Sequence, residues 1–324
     1  MGNFFKSLFS SSKEENTENR TENINTKTDQ KNFDIFKYDG IRAQRIGKLQ
    51  YAIKCFEEAL NIQDDFETMG LLVTAYISNQ DFDEAFELSN RMVELEPEEP
   101  SSYMTRVNVL FMMDREQEAI ADCLKVIELD ELNNIAWYML GKAKQSIKDL
   151  SGAVADITKA ITLKEDFVSA WILRSEVQLE MNQPEVALPD IEKALELVPE
   201  EESAYLLRGR IHEALNDFPA ATEDYNQALA LNPFNEEASL LSASLLIKEN
   251  KPDEAIAILD EIIELKPDFA KAYSERSKAK SLKGDKEGAQ TDQQDAERFM
   301  QNEKEEKGEK AASDFNDMYK GGIY

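Results

Sequence analysis

The 324 residues carry 65 Asp and Glu against 37 Lys and Arg, a formal net charge of −28, so most of the surface repels a phosphate backbone and nucleic acid is not an expected partner. With only 12 glycines and 9 prolines, turn-rich sandwiches and collagen-like chains are excluded, and helix is the expected element. No apolar run reaches the roughly 18 residues that a membrane-spanning helix needs, and 2 cysteines cannot form a disulfide framework, which suits a reducing, cytoplasmic setting.

Residues 1–9, MGNFFKSLF, place Phe4, Phe5, Leu8 and Phe9 on one face at helical spacing, a short amphipathic segment. It is too short for a signal-peptide core, and Lys6 stands where a myristoylation signal wants Ser or Thr. Neither secretion nor stable membrane insertion is expected. Residues 10–32 contain one Ile and no other large apolar side chain, which predicts a disordered linker.

From residue 33 the chain repeats. Ala52, Ala85, Ala119, Ala153, Ala187, Ala221, Ala255 and Ala289 follow one another at intervals of 33 and then 34 residues. With these alanines at repeat position 20, position 27 carries Ala59, Ala160, Ala194, Ala228 and Ala296, and position 8 carries Gly40, Gly141 and Gly209. Position 4 carries Phe36, Tyr103, Trp137, Trp171, Tyr205 and Tyr273, and position 32 carries Pro97, Pro199, Pro233 and Pro267. Small groups let two helices approach, large ones fill the space beside them, and proline ends the second helix.

These columns resemble the tetratricopeptide repeat family, most closely from Trp137 to Asp166. The resemblance covers 33–303 as eight repeats: 33–65, 66–99, 100–133, 134–167, 168–201, 202–235, 236–269 and 270–303. It implies an all-α fold, a right-handed superhelical solenoid of helix-turn-helix units. Residues 304–324 form a charged tail ending in the aromatic segment FNDMYKGGIY.

The turns carry their own signal. Position 15 holds Gly47, Gln80, Asp114, Lys148, Asn182, Asn216, Asn250 and Gly284, and six of the eight are types that tolerate a left-handed helix end. Position 16 supplies Asp81, Asp149, Asp217 and Asp285 to cap the second helix. Pro189 falls one turn inside a second helix, where a lost hydrogen bond or a slight kink is expected.

No phosphate loop, nucleophile elbow or paired CxxC is present, and a regular solenoid leaves little room for an active site, so catalysis and cofactors are not expected. His212-Glu213 begins a zinc-protease pattern whose second histidine position holds Asn216, so that motif binds no metal and His212 is assigned to packing. Cys55 and Cys123, two repeats apart, are expected to be buried and unbridged. Arg106, Arg174, Arg208 and Arg276 at position 7 recur with Asp122, Asp190, Asp224 and Asp292 at position 23 of the same repeats, which predicts an ion pair joining the two helices of repeats three, five, six and eight; the competing geometry pairs Asp156 with Arg174 and Asp190 with Arg208 across neighbouring repeats.

The family resemblance implies that positions 2, 5, 9 and 12 line a concave groove. Positions 5 and 12 include Met104, Phe111, Tyr138, Ile172, Leu179, Leu206 and Leu240, and position 9 supplies Asn108, Lys142, Arg210 and Lys278. An apolar floor with a few cations suits a peptide or protein segment bearing apolar anchors and acidic groups, so the expected function is a noncatalytic interaction scaffold. One alternative is a membrane-surface tether or adaptor acting through the N-terminal apolar segment. A chaperone adaptor is disfavoured, because Met139, Ser169 and Leu173 stand where the family's carboxylate-clamp residues belong. The C-terminal tail, with Asp314 and Asp317 among aromatics, is a candidate for docking in the chain's own groove.

Overall fold

The computed structural model describes residues 27–302, where every regular element is an α-helix. Repeat one is α1 (27–45) with α2 (Leu49–Ile62). The next three repeats are α3 (Phe66–Asn79) with α4 (Phe82–Leu95), α5 (Pro100–Met112) with α6 (Glu116–Leu129), and α7 (Asn134–Ser146) with α8 (Leu150–Leu163). Then follow α9 (Val168–Glu180) with α10 (Pro184–Leu197), α11 (Glu202–Ala214) with α12 (Phe218–Leu231), α13 (Pro-free, Glu236–Lys248) with α14 (Pro252–Leu265), and α15 (Ala270–Lys283) with α16 (286–302). The chain divides into two compact units, Met1–Glu165 and Asp166–Tyr324, each with its own core.

Small side chains set the spacing within each helix pair. All eight position-20 alanines are buried. In repeat four a Cβ added to Gly141 would lie 2.5 Å from the Ile157 side chain, and in repeat six one added to Gly209 would lie 2.4 Å from the Tyr225 ring. Glycine is required there because the facing helix already occupies the place of a methyl group. In repeats three, four, six and eight the position-4 aromatic closes the turn leading into the first helix. Tyr103, Tyr205 and Tyr273 donate their hydroxyls to the carbonyls of Pro97, Pro199 and Pro267 at 3.0, 3.1 and 3.0 Å, and Trp137 Nε1 donates to the Glu131 carbonyl at 2.9 Å.

Every position-15 residue is left-handed, with φ from 53° at Asp114 to 92° at Gly284. Gln80 and Lys148, whose types do not favour that region, adopt it at φ 67° and 65°. Helix packing on both sides overrides their local preference. The carboxylates of Asp149, Asp217 and Asp285 cap the amides of Gly152, Ala220 and Gly288 at 3.0, 3.3 and 2.9 Å. Asp81 makes no such bond and instead accepts from Asn79 Nδ2 at 2.6 Å. Helix α10 runs unbroken through Pro189, which is exposed. Only the bond to the Glu185 carbonyl is forfeited so close to the helix start.

The linker expected over 10–32 is shorter at its C-terminal end, because α1 is already helical at residue 27. Gln30 Nε2 donates to Asp34 Oδ1 one turn ahead at 3.0 Å, and extending an existing helix needs no new nucleus. The segments 1–9 and 10–26 and the tail 304–324 lie outside the described residues.

The predicted ion pairs form within each repeat. Arg106, Arg174 and Arg276 each grip their aspartate with Nε and Nη2, at 2.8 and 2.7 Å, 2.6 and 2.7 Å, and 2.9 and 2.7 Å. Arg208 Nη2 reaches Asp224 Oδ1 at 2.6 Å. Each guanidinium also lies over its own position-4 ring, 4.9 Å from the centroid at Trp171 and 5.2–5.8 Å at the tyrosines. The hydrogen bonds to Asp122 and Asp224 raise the already high pKa values of Arg106 and Arg208. Burial pushes the Asp292 carboxyl up, but hydrogen bonds from Arg276 and Lys280 outweigh it and hold the group below the ordinary carboxylate range.

Candidate functional site

The first helices lie beside one another within each unit: α3 by α5 in one, and α9 by α11 and α13 by α15 in the other. Second helices share the cores with them.

In the N-terminal unit, the position-9 cation of repeat four meets the position-12 aromatic of repeat three, with Lys142 Nζ 5.2 Å from the centroid of the Phe111 ring. Asn108 and Lys142 are exposed, whereas Met104, Phe111 and Tyr138 are half-buried. Met104 packs against the core formed by Tyr103, Val126 and Ala136, so only part of its side chain faces outward.

In the C-terminal unit, a cleft of about 360 Å³ is lined by Leu179 of α9, Arg210, Glu213 and Ala214 of α11, and Leu241 and Lys248 of α13. Arg210 is exposed and forms no ion pair among the described residues. Its neighbours are committed to one another: Glu213 accepts from the Tyr225 hydroxyl and from Lys248 Nζ. Burial and the Glu213 carboxylate both push the Tyr225 phenol far above its usual pKa, so it stays a neutral donor. Arg210 thus borders the cleft without a salt-bridge partner of its own among the described residues.

The remaining sequence-predicted residues behave differently. Leu206 is buried with Ala221, Tyr225, Ala228 and Leu245, a correction to its assignment to the groove floor. Position 5 of repeat six packs in the core cluster that holds the Tyr225 ring. Ile172 packs half-buried on the repeat-five core. Leu240 lines a separate depression of about 280 Å³ with Leu241, Ser244 and Ser274. Lys278 is exposed but paired with Glu275 at 2.6 Å.

Sequence reasoning missed Leu241 and Lys248, which occupy positions 6 and 13, outside the four columns expected to face a ligand. It also missed column 11. Lys144 and Lys280 pair with Asp156 and Asp292 at 2.6 and 2.8 Å, and His212 Nε2 stands 3.7 Å from Asp224 Oδ2. The signal was present, for position 11 is basic in repeats four, six and eight. Cys55 and Cys123 are free and buried, and burial pushes the Cys123 thiol up to about 12.

Helices paired in chain order, with small residues at the crossing and an aromatic closing the turn in four repeats, define a helical-repeat solenoid. The repeats are tetratricopeptide repeats, and residues 135–275 match the family model described as the tetratricopeptide repeat protein 21 C-terminal ARM domain. A tetratricopeptide repeat protein from Parabacteroides merdae is similar at 17% identity and TM-score 0.59, over 72% of this chain and 93% of that one. PilF of Pseudomonas aeruginosa is similar at 18% identity and TM-score 0.55, over 64% and 94%. A chain of the Cut9–Hcn1 hetero-tetramer of the APC/C is similar at 16% identity and TM-score 0.58, over 66% and 43%. At such identities the likeness is one of fold. No curated protein sequence matches the chain.

Proposed function

We propose that this protein is a noncatalytic scaffold that holds a peptide or protein segment on the first-helix faces, with an acidic side chain on Arg210 and apolar side chains against Leu179 and Leu241. The observation that supports this reading is the unpaired guanidinium of Arg210 in the cleft of about 360 Å³. A surface of net charge −28 leaves few cations without carboxylate neighbours, and a ligand carboxylate supplies a charge-assisted, bidentate bond there. Lys142 and Phe111 offer the N-terminal unit a second, weaker anchor of the same chemistry. The tail segment FNDMYKGGIY combines aromatics with Asp314 and Asp317, so it is also a candidate ligand for this face and a competitor of outside partners. No described helix is long and apolar enough to cross a membrane.

Fluorescence anisotropy with a labelled peptide of residues 311–324, and with a panel of acidic amphipathic peptides, tests the assignment. Wild-type protein lacking 311–324 should bind at least one probe in a salt-dependent manner, and Arg210→Glu should abolish that binding while leaving the melt unchanged. Equal binding by both proteins would remove Arg210 from the site.

A further inference from the structure

The two ends of the described array differ in chemistry. A repeat at the end of a solenoid has one face with no neighbouring repeat to cover it, and solubility requires that face to be polar or covered. On the last helix, α16, Glu287, Gln290, Thr291, Gln294, Glu297 and Arg298 are all exposed, and Met300 is its one exposed large apolar side chain. At the first repeat the exposed side chains include Ile35, Tyr38, Ile46 and Tyr51, with 47%, 54%, 68% and 55% of their surfaces open. Ile35, Asp39, Arg42 and Ile46 recur at the spacing of one helical stripe, and Tyr38 borders it. Between α1 and α2 the stripe opens into a depression of about 450 Å³ lined by Asp39, Arg42, Ala43, Ile46, Lys48 and Tyr51.

We propose that residues 1–9 cover this face in cis, with Phe4, Phe5, Leu8 and Phe9 laid against Tyr38, Ile46 and Tyr51. Three observations favour this occupant. Within residues 1–26 the segment is the one apolar stretch at helical spacing, and nine residues are long enough to lie along a stripe whose ends, Ile35 and Ile46, are about 16 Å apart. Residues 10–26 separate it from α1, and a coil of that length would span about 23 Å root mean square, enough to reach the face at a millimolar-range effective concentration. A membrane is the weaker competitor, because Lys6 is the one basic side chain in the segment and the whole chain carries −28, which anionic lipid repels.

Limited trypsinolysis of the full-length protein tests this. Cleavage after Lys6 is followed against cleavage after Arg20, which lies outside the proposed contact, and against the same bond in a free peptide of residues 1–12. The bond after Lys6 should be cut at least about tenfold more slowly in the protein than in the peptide. The double variant Tyr38→Asp, Tyr51→Asp, checked for an unchanged circular dichroism spectrum, should restore the peptide rate without altering cleavage after Arg20. The proposal is overturned if Lys6 is unprotected, if protection is lost on dilution and so comes from a second copy, or if it persists in the folded double variant. Protection that arises only with phosphatidylserine vesicles would likewise overturn it and place the segment on a membrane.

Discussion

Repeats four and six present the same scaffold with different chemistry at matched positions. Both have glycine at position 8 and aspartate at position 23, but repeat four has Leu140, Lys142, Lys144 and Ile157 where repeat six has Arg208, Arg210, His212 and Tyr225. In repeat four the aspartate takes a lysine at 2.6 Å, and the position-9 cation rests over Phe111. In repeat six the aspartate takes a guanidinium, with the imidazole close by, and the position-9 cation is left open. The acid is constant and its partner is not, so the seam requires a positive charge from the first helix but not from one fixed column. Once column 7 or 11 supplies it, position 9 is not needed by the seam.

The largest effect should come from removing that acid. Asp224→Ala leaves the Arg208 guanidinium without its carboxylate in a buried seam, and a loss of about 3 kcal/mol is expected in denaturant unfolding. Asp156→Ala should lose about 1 kcal/mol, because the flexible Lys144 stem can carry its ammonium back to water. Equal losses would mean that the two seams do not differ in the way their geometry indicates. Moving Leu and Lys into positions 208 and 212 of repeat six should keep Asp224 paired and lose less than Asp224→Ala.

Next in size is the crossing point. Gly209→Ala drives a methyl group into a ring fastened by the bond from Tyr225 to Glu213, and about 2 kcal/mol of destabilisation is expected. Gly141→Ala meets an aliphatic chain that can change rotamer, although the Ala153 carbonyl 3.1 Å away also crowds it. A smaller loss, about 1 kcal/mol, is expected there. Thermal melts of the two variants rank them.

For binding, Arg210→Ala should weaken an acidic peptide about tenfold, the value of one charge-assisted bond near 1.4 kcal/mol. Lys142→Ala should weaken it less, since part of its charge already interacts with the Phe111 ring. Neither should shift the melt appreciably, as both side chains are exposed. The reverse ranking would move the principal anchor into the N-terminal unit.

The repeat period, the eight helix pairs and the position 7–23 ion pairs were legible in the sequence because each arises from a residue type recurring in register. Leu206 and Leu241 were not. Both are leucines on first helices that pack at one core cluster, Leu206 within it and Leu241 at its edge, and residue type alone does not separate the two. The exchange between columns 7 and 11 was hidden for a related reason. A long lysine and a planar guanidinium reach one carboxylate from adjacent turns, so a column-by-column reading separates residues that share one role.

The smallest difference between the two repeats lies at their internal turn, and there repeat four holds the less suitable residue. Lys148 and Asn216 adopt nearly the same left-handed conformation, φ 65° and 61°. Asparagine visits that region with little strain, whereas a lysine Cβ crowds the following carbonyl. Helix packing keeps Lys148 in place, so the strain persists in the folded state and is relieved on unfolding. Lys148→Asn should therefore raise stability by about 0.5–1 kcal/mol, and Asn216→Lys should lower it by a similar amount, both read from denaturant midpoints. If Lys148→Asn instead destabilises, the Lys148 side chain contributes more to its turn than its backbone strain removes.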